Sequence, residues 1–319
     1  MTKLLVTRAL PERVFEGLPG SVDLTVREET EPLTATAAKA ALQVYDAILP
    51  TLGDDFSAKA FEEGSRCKIL ANFGVGYNHI DAAAAEAAGV VVTNTPGAVT
   101  DATADIAMML ILMTCRRAGE GERLVRSGRW EGWHPTQMLG LHLGGKTLGI
   151  IGMGRIGQAV ARRAVHGFGM DVVFYNRSQK GAGARMRQLG SLEEVLRVSD
   201  VVLLTVPATP ETHHLIDAAA LAEMKPGAHL VNVARGDVVA EAALIDALWE
   251  GRIAGAALDV YEHEPKVPAA LREMENVVLL PHLGTATLEV REAMGLLAVK
   301  NLRAFWGGKA PPNAVNSVS

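Results

Sequence analysis

The stretch Thr147–Gly157, TLGIIGMGRIG, constrains the fold more than any other segment. A strand-like apolar run leads directly into Gly152, Gly154 and Gly157, spaced G-x-G-x-x-G, and a helix-like stretch, Gln158–Val165, follows. A second strand-like run, Asp171–Tyr175, comes next. Strand, glycine turn, helix and strand together make a βαβ unit. In such a unit the first glycine allows the tight turn, the second lets backbone approach a pyrophosphate, and the third lets helix and strand pack closely. The start of the helix then offers free N–H groups to phosphate.

The same alternation runs through the rest of the chain. Lys3–Thr7, Val22–Val26, Asp46–Leu49, Lys68–Ala71 and Val90–Thr93 read as strands, with Ser57–Glu63 and Ala82–Ala88 among the helices between them. Asp81 stands where it would cap the second of these. Beyond the break at Thr95-Pro96-Gly97 comes a long helix, Asp101 to about Arg117, apolar almost all round and therefore in need of cover. Further strands are expected at Val201–Val206, His229–Val233, Ala254–Val260 and Val277–Leu280, and helices at Leu192–Val198, Ala218–Met224, Glu241–Glu250 and Leu288–Phe305. Strands alternating with helices imply parallel sheets covered on both faces. The expected class is α/β with two doubly wound parallel-sheet lobes. A Rossmann cofactor domain, 98–284, is inserted into a flavodoxin-like substrate domain made of 1–97 and a returning C-terminal helix and tail, 285–319.

Composition excludes several alternatives. The net charge is −5 with no basic stripe, so nucleic acid is not an expected partner. The longest apolar stretch, Ile106–Cys115, is far short of the ~18 residues that a membrane span needs. The start, MTKLLVTRALPERVFEG, meets Arg8 too early for a secretory leader. Cys67 and Cys115 make neither a metal pair nor a disulfide framework, so no metal is expected and a reducing cytoplasm is. The apolar helix after residue 100 points to a homodimer.

The end of the second Rossmann strand bears on cofactor choice. A carboxylate that reads the ribose hydroxyls is expected about 20 residues beyond the glycine turn. The sequence there is Tyr175-Asn176-Arg177-Ser178, with no acid. A carboxylate would repel a 2′-phosphate by about 4 kcal/mol at ~4 Å and an effective dielectric of ~20. Its absence, with Arg177 and Ser178 as donors, favours NADP(H), with NAD(H) still usable.

Three residues stand just past strand ends: Arg235 in ARGDVV, Glu264 in LDVYEHEP and His282 after VVLLP. That edge is where open α/β sheets bind ligands. With the glycine loop, the segments LGIIGMGRIGQAVARR, HLVNVARGDVV, AALDVYEHEP and LLPHLGTAT resemble the D-isomer-specific 2-hydroxyacid dehydrogenase family over essentially the whole chain. LANFGVGYNHID, WEGWHP and PPNAVN are most similar to its glyoxylate/hydroxypyruvate reductases.

The resemblance implies reduction of small 2-keto acids. His282 would be the general acid, Glu264 its partner, and Arg235 the holder of keto oxygen and carboxylate. Backbone amides of Val75 and Gly76 would take the substrate carboxylate. Leu52, after Pro50, reads either as lining that end or as core. The cofactor would meet Gly152, Gly154, Arg155, Ile156, Gly157, Asn176, Arg177, Ser178, Pro207, Val233, Ala234 and Gly284, with Asp259 near the nicotinamide carboxamide. His213 and His214 read as structural. Trp130 and Trp133 read either as packing or, by resemblance, as residues reaching a partner subunit. A D-lactate-type or broad 2-keto-acid reductase is the alternative within the family. A dinucleotide-sensing, corepressor-like binding protein is the alternative outside enzymes.

Overall fold

Runs such as Val201–Leu204 (VVLL) and Ile69–Ala71 (ILA) are apolar and buried at every position. Neither face of the sheets they join is left to water, the pattern of a parallel sheet between helix layers. The computed structural model describes residues 1–181 and 183–318. In chain order it begins with β1 (Thr2–Val6), β2 (Val22–Val26), α1 (Ala35–Val44), β3 (Ala47–Leu49), α2 (Ala58–Phe61), β4 (Ile69–Ala71), α3 (Ala82–Ala87) and β5 (Val91–Thr93). It continues with α4 (Thr100–Cys115), α5 (Ala118–Arg126), β6 (Thr147–Ile151), α6 (Arg155–Phe168), β7 (Asp171–Tyr175), β8 (Met186–Gln188), α7 (Leu192–Val198) and β9 (Val201–Leu204). The remainder is α8 (Ala218–Ala222), β10 (His229–Asn232), α9 (Glu241–Trp249), β11 (Gly255–Leu258), α10 (Ala269–Glu273), β12 (Val277–Leu279) and α11 (Leu288–Trp306).

The chain divides into two compact units, Met1–Val99 with Ala286–Ser319, and Thr100–Thr285. Unit 1 holds a five-stranded parallel sheet in the order β2-β1-β3-β4-β5. This is the flavodoxin-like order, with its switch point between β1 and β3. Leu5, Leu42, Ile48, Phe56 and Leu70 fill one face, while Leu4, Leu49 and Ile69 meet Ala298 and Leu302 of α11 on the other. Unit 2 holds seven parallel strands in the order β12-β11-β10-β9-β6-β7-β8. Counted from β6, this is the Rossmann order extended by one strand, with its switch point between β6 and β9.

Helix ends follow local chemistry. Thr34, Asp81, Ser191, Asp217 and Thr287 each accept a first-turn backbone N–H at the start of α1, α3, α7, α8 and α11. Several elements differ from expectation. The strands expected to reach Val206 and Val260 stop at Leu204 and Leu258, because the apolar residues beyond belong to the turns that carry the site. α4 is less enclosed than its sequence suggests: Met109 is 37% exposed, and Ile106, Leu112 and Met113 are only partly buried.

Gly295 of α11 tests this packing. A Cβ there would lie 2.3 Å from Val14 Cγ2, whereas one at Gly167 of α6 would meet nothing within 4 Å. Alanine gains up to ~1 kcal/mol over glycine inside a helix, and overpacking costs ~1–3 kcal/mol. Gly167→Ala is therefore expected to raise the denaturation midpoint and Gly295→Ala to lower it, measured by urea titration of each variant.

Candidate active site

The glycine turn closes on itself in unit 2. Gly152 has φ +100°, and a Cβ there would lie 2.9 Å from the backbone nitrogen of Val206. A Cβ at Gly157 would lie 2.5 Å from the Gly152 carbonyl, so α6 can press against β6 only because the position is bare. At Gly154, which precedes α6, a Cβ would meet nothing, and the turn is open on that side. Arg155 and Ile156 open α6, where first-turn N–H groups lack helical acceptors. The cradle therefore fits a dinucleotide pyrophosphate.

Asn176 follows β7 and is engaged at both ends of its amide. Its Oδ1 accepts the Met153 N–H at 3.1 Å, and its Nδ2 donates to Ser178 O at 2.9 Å and Ser178 Oγ at 3.0 Å. It thereby joins the glycine turn to the 176–178 turn, on which Arg177 and Ser178 are exposed. Gln188 of β8, which sequence reasoning missed, braces the same turn by donating to the carbonyls of Asn176 and Ser178. Pro207 follows β9, and its carbonyl accepts the Thr212 hydroxyl at 2.7 Å.

Arg235 leaves the end of β10 behind the buried Val233 and Ala234. A second missed residue, the buried Asn232, sets this turn. Its Oδ1 accepts the Ala234 N–H at 2.9 Å and its Nδ2 donates to the Arg235 carbonyl at 2.8 Å. Burial pushes the Arg235 guanidinium below its ordinary value, while the charges of Glu264 and Asp237 pull it upward.

His282 and Glu264 meet at 2.9 Å, Nδ1 to Oε2. A carboxylate only accepts, so Nδ1 carries the proton of this bond and Nε2 is left for other chemistry. Glu264 Oε1 accepts the Tyr261 N–H at 3.1 Å. Burial alone would raise the Glu264 carboxyl, but the bond and charge of His282, the Tyr261 N–H and Arg235 hold it below the usual range. His282 has φ +54°, a strained backbone for a residue with a side chain. Asp259 secures it: its carbonyl accepts the His282 N–H at 3.0 Å, and its carboxylate takes the N–H groups of Leu283 at 2.6 Å and Gly284 at 2.8 Å. Burial raises the Asp259 carboxyl, against the pull of these donors and of His282. Thr103 of α4 donates to the Gly284 carbonyl at 3.0 Å.

A second link braces the Glu264 turn. His214, with φ +50°, meets Glu262 at 2.7 Å, and Glu262 and the buried Glu241 each accept the other's backbone N–H. The sequence marked His214 as structural without naming Glu262.

All of these residues stand at the carboxyl edge of the unit 2 sheet. Leu52, Val75 and Gly76 stand at the carboxyl edge of the unit 1 sheet, beyond β3 and β4. The Leu52 carbonyl accepts Arg8 Nη1 at 2.8 Å. Asp81 caps α3 through the Ala84 N–H at 2.9 Å, as its position in the sequence suggests. Trp130 and Trp133 are 51% and 80% exposed. Among the described residues no group of His, Cys, Asp and Glu could hold a metal ion, and no helix is long and apolar enough to cross a membrane.

Fold and edge together define a dinucleotide-binding α/β protein with an Arg, Glu and His constellation at the carboxyl ends of its strands. The model of the D-isomer specific 2-hydroxyacid dehydrogenase NAD binding domain matches residues 108–284. The chain is 46% identical to a glyoxylate reductase of Pyrococcus furiosus, covering 98% of this chain and 95% of that protein. It is also 46% identical to one of Thermococcus kodakarensis, covering 98% and 96%. An NADPH-dependent glyoxylate/hydroxypyruvate reductase of Sinorhizobium meliloti, solved with NADP and malonate, superposes with a TM-score of 0.88 at 36% identity over 98% of this chain and 96% of that one. The chain belongs to the D-isomer-specific 2-hydroxyacid dehydrogenase family.

Gly236 sets the distance between the Arg235 and Glu264 turns. A Cβ there would fall 2.0 Å from the Tyr261 carbonyl oxygen. Gly236→Ala is expected to part the two turns. A displacement of about 1 Å can cost about 10²-fold in rate. The expected result is that kcat/KM falls by that order while dinucleotide affinity, read by fluorescence titration, holds.

Proposed function

We propose that the chain reduces small 2-keto acids to 2-hydroxy acids, glyoxylate to glycolate and hydroxypyruvate to D-glycerate, with NADP(H) preferred to NAD(H). The observation that carries this reading is the His282–Glu264 hydrogen bond of 2.9 Å at the same sheet edge as the half-buried Arg235. The relatives named glyoxylate reductase support the substrate class.

When bound, the reduced nicotinamide supplies hydride to the keto carbon. His282 gives its Nε2 proton to the keto oxygen as negative charge builds there. The ionised Glu264 fixes the ring by accepting the Nδ1 proton, so that Nε2 faces the reaction. Arg235 presents a planar fork that matches the substrate carboxylate, and its partial burial strengthens that attraction. The amides of Val75 and Gly76 are assigned to the substrate carboxylate, with Leu52 beside them. Asp259 is assigned to the carboxamide end of the cofactor. A kinetic panel of glyoxylate, hydroxypyruvate, pyruvate and phenylpyruvate, each with NADH and NADPH, tests the reading. Preference for phenylpyruvate would favour the broad-specificity alternative, and no turnover with any of them would favour a binding protein.

His282→Asn isolates the acid. Asparagine tolerates the left-handed backbone that His282 occupies, so the loss is chemical. kcat is expected to fall about 10²–10⁴-fold with dinucleotide affinity retained.

Support for NADP(H) is the absence of an acid at Asn176 and the exposed Arg177 beside it. In Asn176→Asp with Arg177→Ala, the new carboxylate can still accept the Met153 N–H and would repel a 2′-phosphate. The NADPH/NADH ratio of kcat/KM is expected to fall at least about tenfold, a change of about 1.4 kcal/mol. A wild type that already prefers NADH would refute the assignment.

We further infer a homodimer built on α4. Support comes from Met109 on that helix, with exposed Trp130, Trp133 and Leu139 in the segment that follows α5. Sedimentation at micromolar concentration is expected to give twice 33.8 kDa. The buried free thiols of Cys67 and Cys115 support a cytoplasmic location.

A further inference from the structure

We propose that Asn72 and Asn94 are positioning residues for the substrate carboxylate, because they capture the carbonyl groups of the Gly74–Gly76 turn and so aim its N–H groups at the anion. The proposal rests on the reading above that this turn receives the carboxylate.

Asn72 follows β4 and is fully buried. Its Nδ2 donates to the Gly74 carbonyl at 3.1 Å and to the Gly76 carbonyl at 3.0 Å. Both neighbours are acceptors, so only the amide nitrogen fits there. The Gly74 carbonyl also takes the Thr95 N–H at 2.9 Å. Between these two, the Val75 carbonyl accepts Asn94 Nδ2 at 2.9 Å. Three consecutive carbonyls are thus held by side-chain amides.

In a trans peptide the carbonyl of one residue and the N–H of the next point in opposite directions. Holding the Gly74 carbonyl therefore turns the Val75 N–H away from Asn72. Holding the Val75 carbonyl turns the Gly76 N–H away from Asn94. Successive N–H groups fixed in this way make an anion-binding concavity. The turn has no helix or strand ladder to fix it, so the two asparagines supply what secondary structure does not.

Asn94 is itself braced. Its N–H donates to the Asn313 carbonyl at 3.2 Å. Its carbonyl accepts Nδ2 of the buried Asn301, on α11, at 3.3 Å, and Asn301 Oδ1 accepts the Asn313 N–H at 3.2 Å. The C-terminal segment thereby fixes one of the two clamps.

The test is steady-state kinetics of Asn72→Ala, Asn72→Asp and Asn94→Ala with glyoxylate and with its methyl ester, alongside thermal unfolding. KM for glyoxylate is expected to rise about tenfold in Asn72→Ala, the scale of an unmade buried hydrogen bond. It is expected to rise further in Asn72→Asp, whose charge opposes both carbonyls and substrate, and by a smaller factor in Asn94→Ala. Cofactor KM and kcat at saturating glyoxylate are expected to stay within about twofold of wild type. Lower kcat with unchanged KM would mean a merely structural role and would overturn the proposal. If Asn72→Ala does not fold, the half-buried Asn94→Ala decides by the same criterion. The ester separates the two levels of inference. A wild type that discriminates against the ester, with variants of unchanged KM, overturns this proposal alone. A wild type that reduces ester and acid equally overturns the carboxylate reading and this proposal with it.

Discussion

Asp259 directly follows β11, with both carboxylate oxygens taken by backbone donors, Leu283 and Gly284, and its own carbonyl bonded to the His282 N–H. Those three bonds hold a histidine at φ +54°, a backbone it would otherwise abandon. With that backbone fixed, the imidazole meets Glu264, and Glu264 is in turn oriented by the Tyr261 N–H. The proposed chemistry depends on Asp259, because without its three bonds the His282 turn has a strained conformation and little to sustain it.

The two sheets use their carboxyl edges alike. In each, parallel strands end in turns whose backbone is held by polar side chains. Asn72 and Asn94 do for the Gly74–Gly76 turn what Asn176 does for the glycine turn and Asn232 for the Arg235 turn. An asparagine amide can donate and accept at once, as Asn176 and Asn232 do, whereas Asn72 and Asn94 hold their turn by donation from Nδ2.

The strands were legible because fully buried parallel strands are short apolar runs, and the glycine turn because its spacing has a mechanical cause. Boundaries were less legible: Val206 and Val260 are as apolar as the strands they follow, and only the ladder shows that they lie outside it. β8, with the sequence MRQ, is a polar edge strand without alternation. α5 carries two glycines and buries no residue, so its sequence lacks a core-facing stripe. α1 has the right cap in Thr34 but an alanine-rich face with little pattern. At the site, Arg235, Glu264 and His282 were visible as strand-end residues. Asn72, Asn232, Gln188 and Glu262 were not, since each braces backbone or a side chain through a contact that only the fold sets, not its spacing.

Unit 2 is one uninterrupted stretch of chain, whereas unit 1 closes only when α11 covers the face of β1, β3 and β4. The segment after α11 then adds the backbone bridge of Ala314 to Thr93 and the bond from the Val315 N–H to Val92. These contacts join residues roughly 220 positions apart, and long-range pairings of that kind are slow to form. On the ribosome, unit 2 can therefore complete its sheet while unit 1 still lacks its last layer, and the Leu4, Leu49 and Ile69 face waits open for a chaperone or for α11.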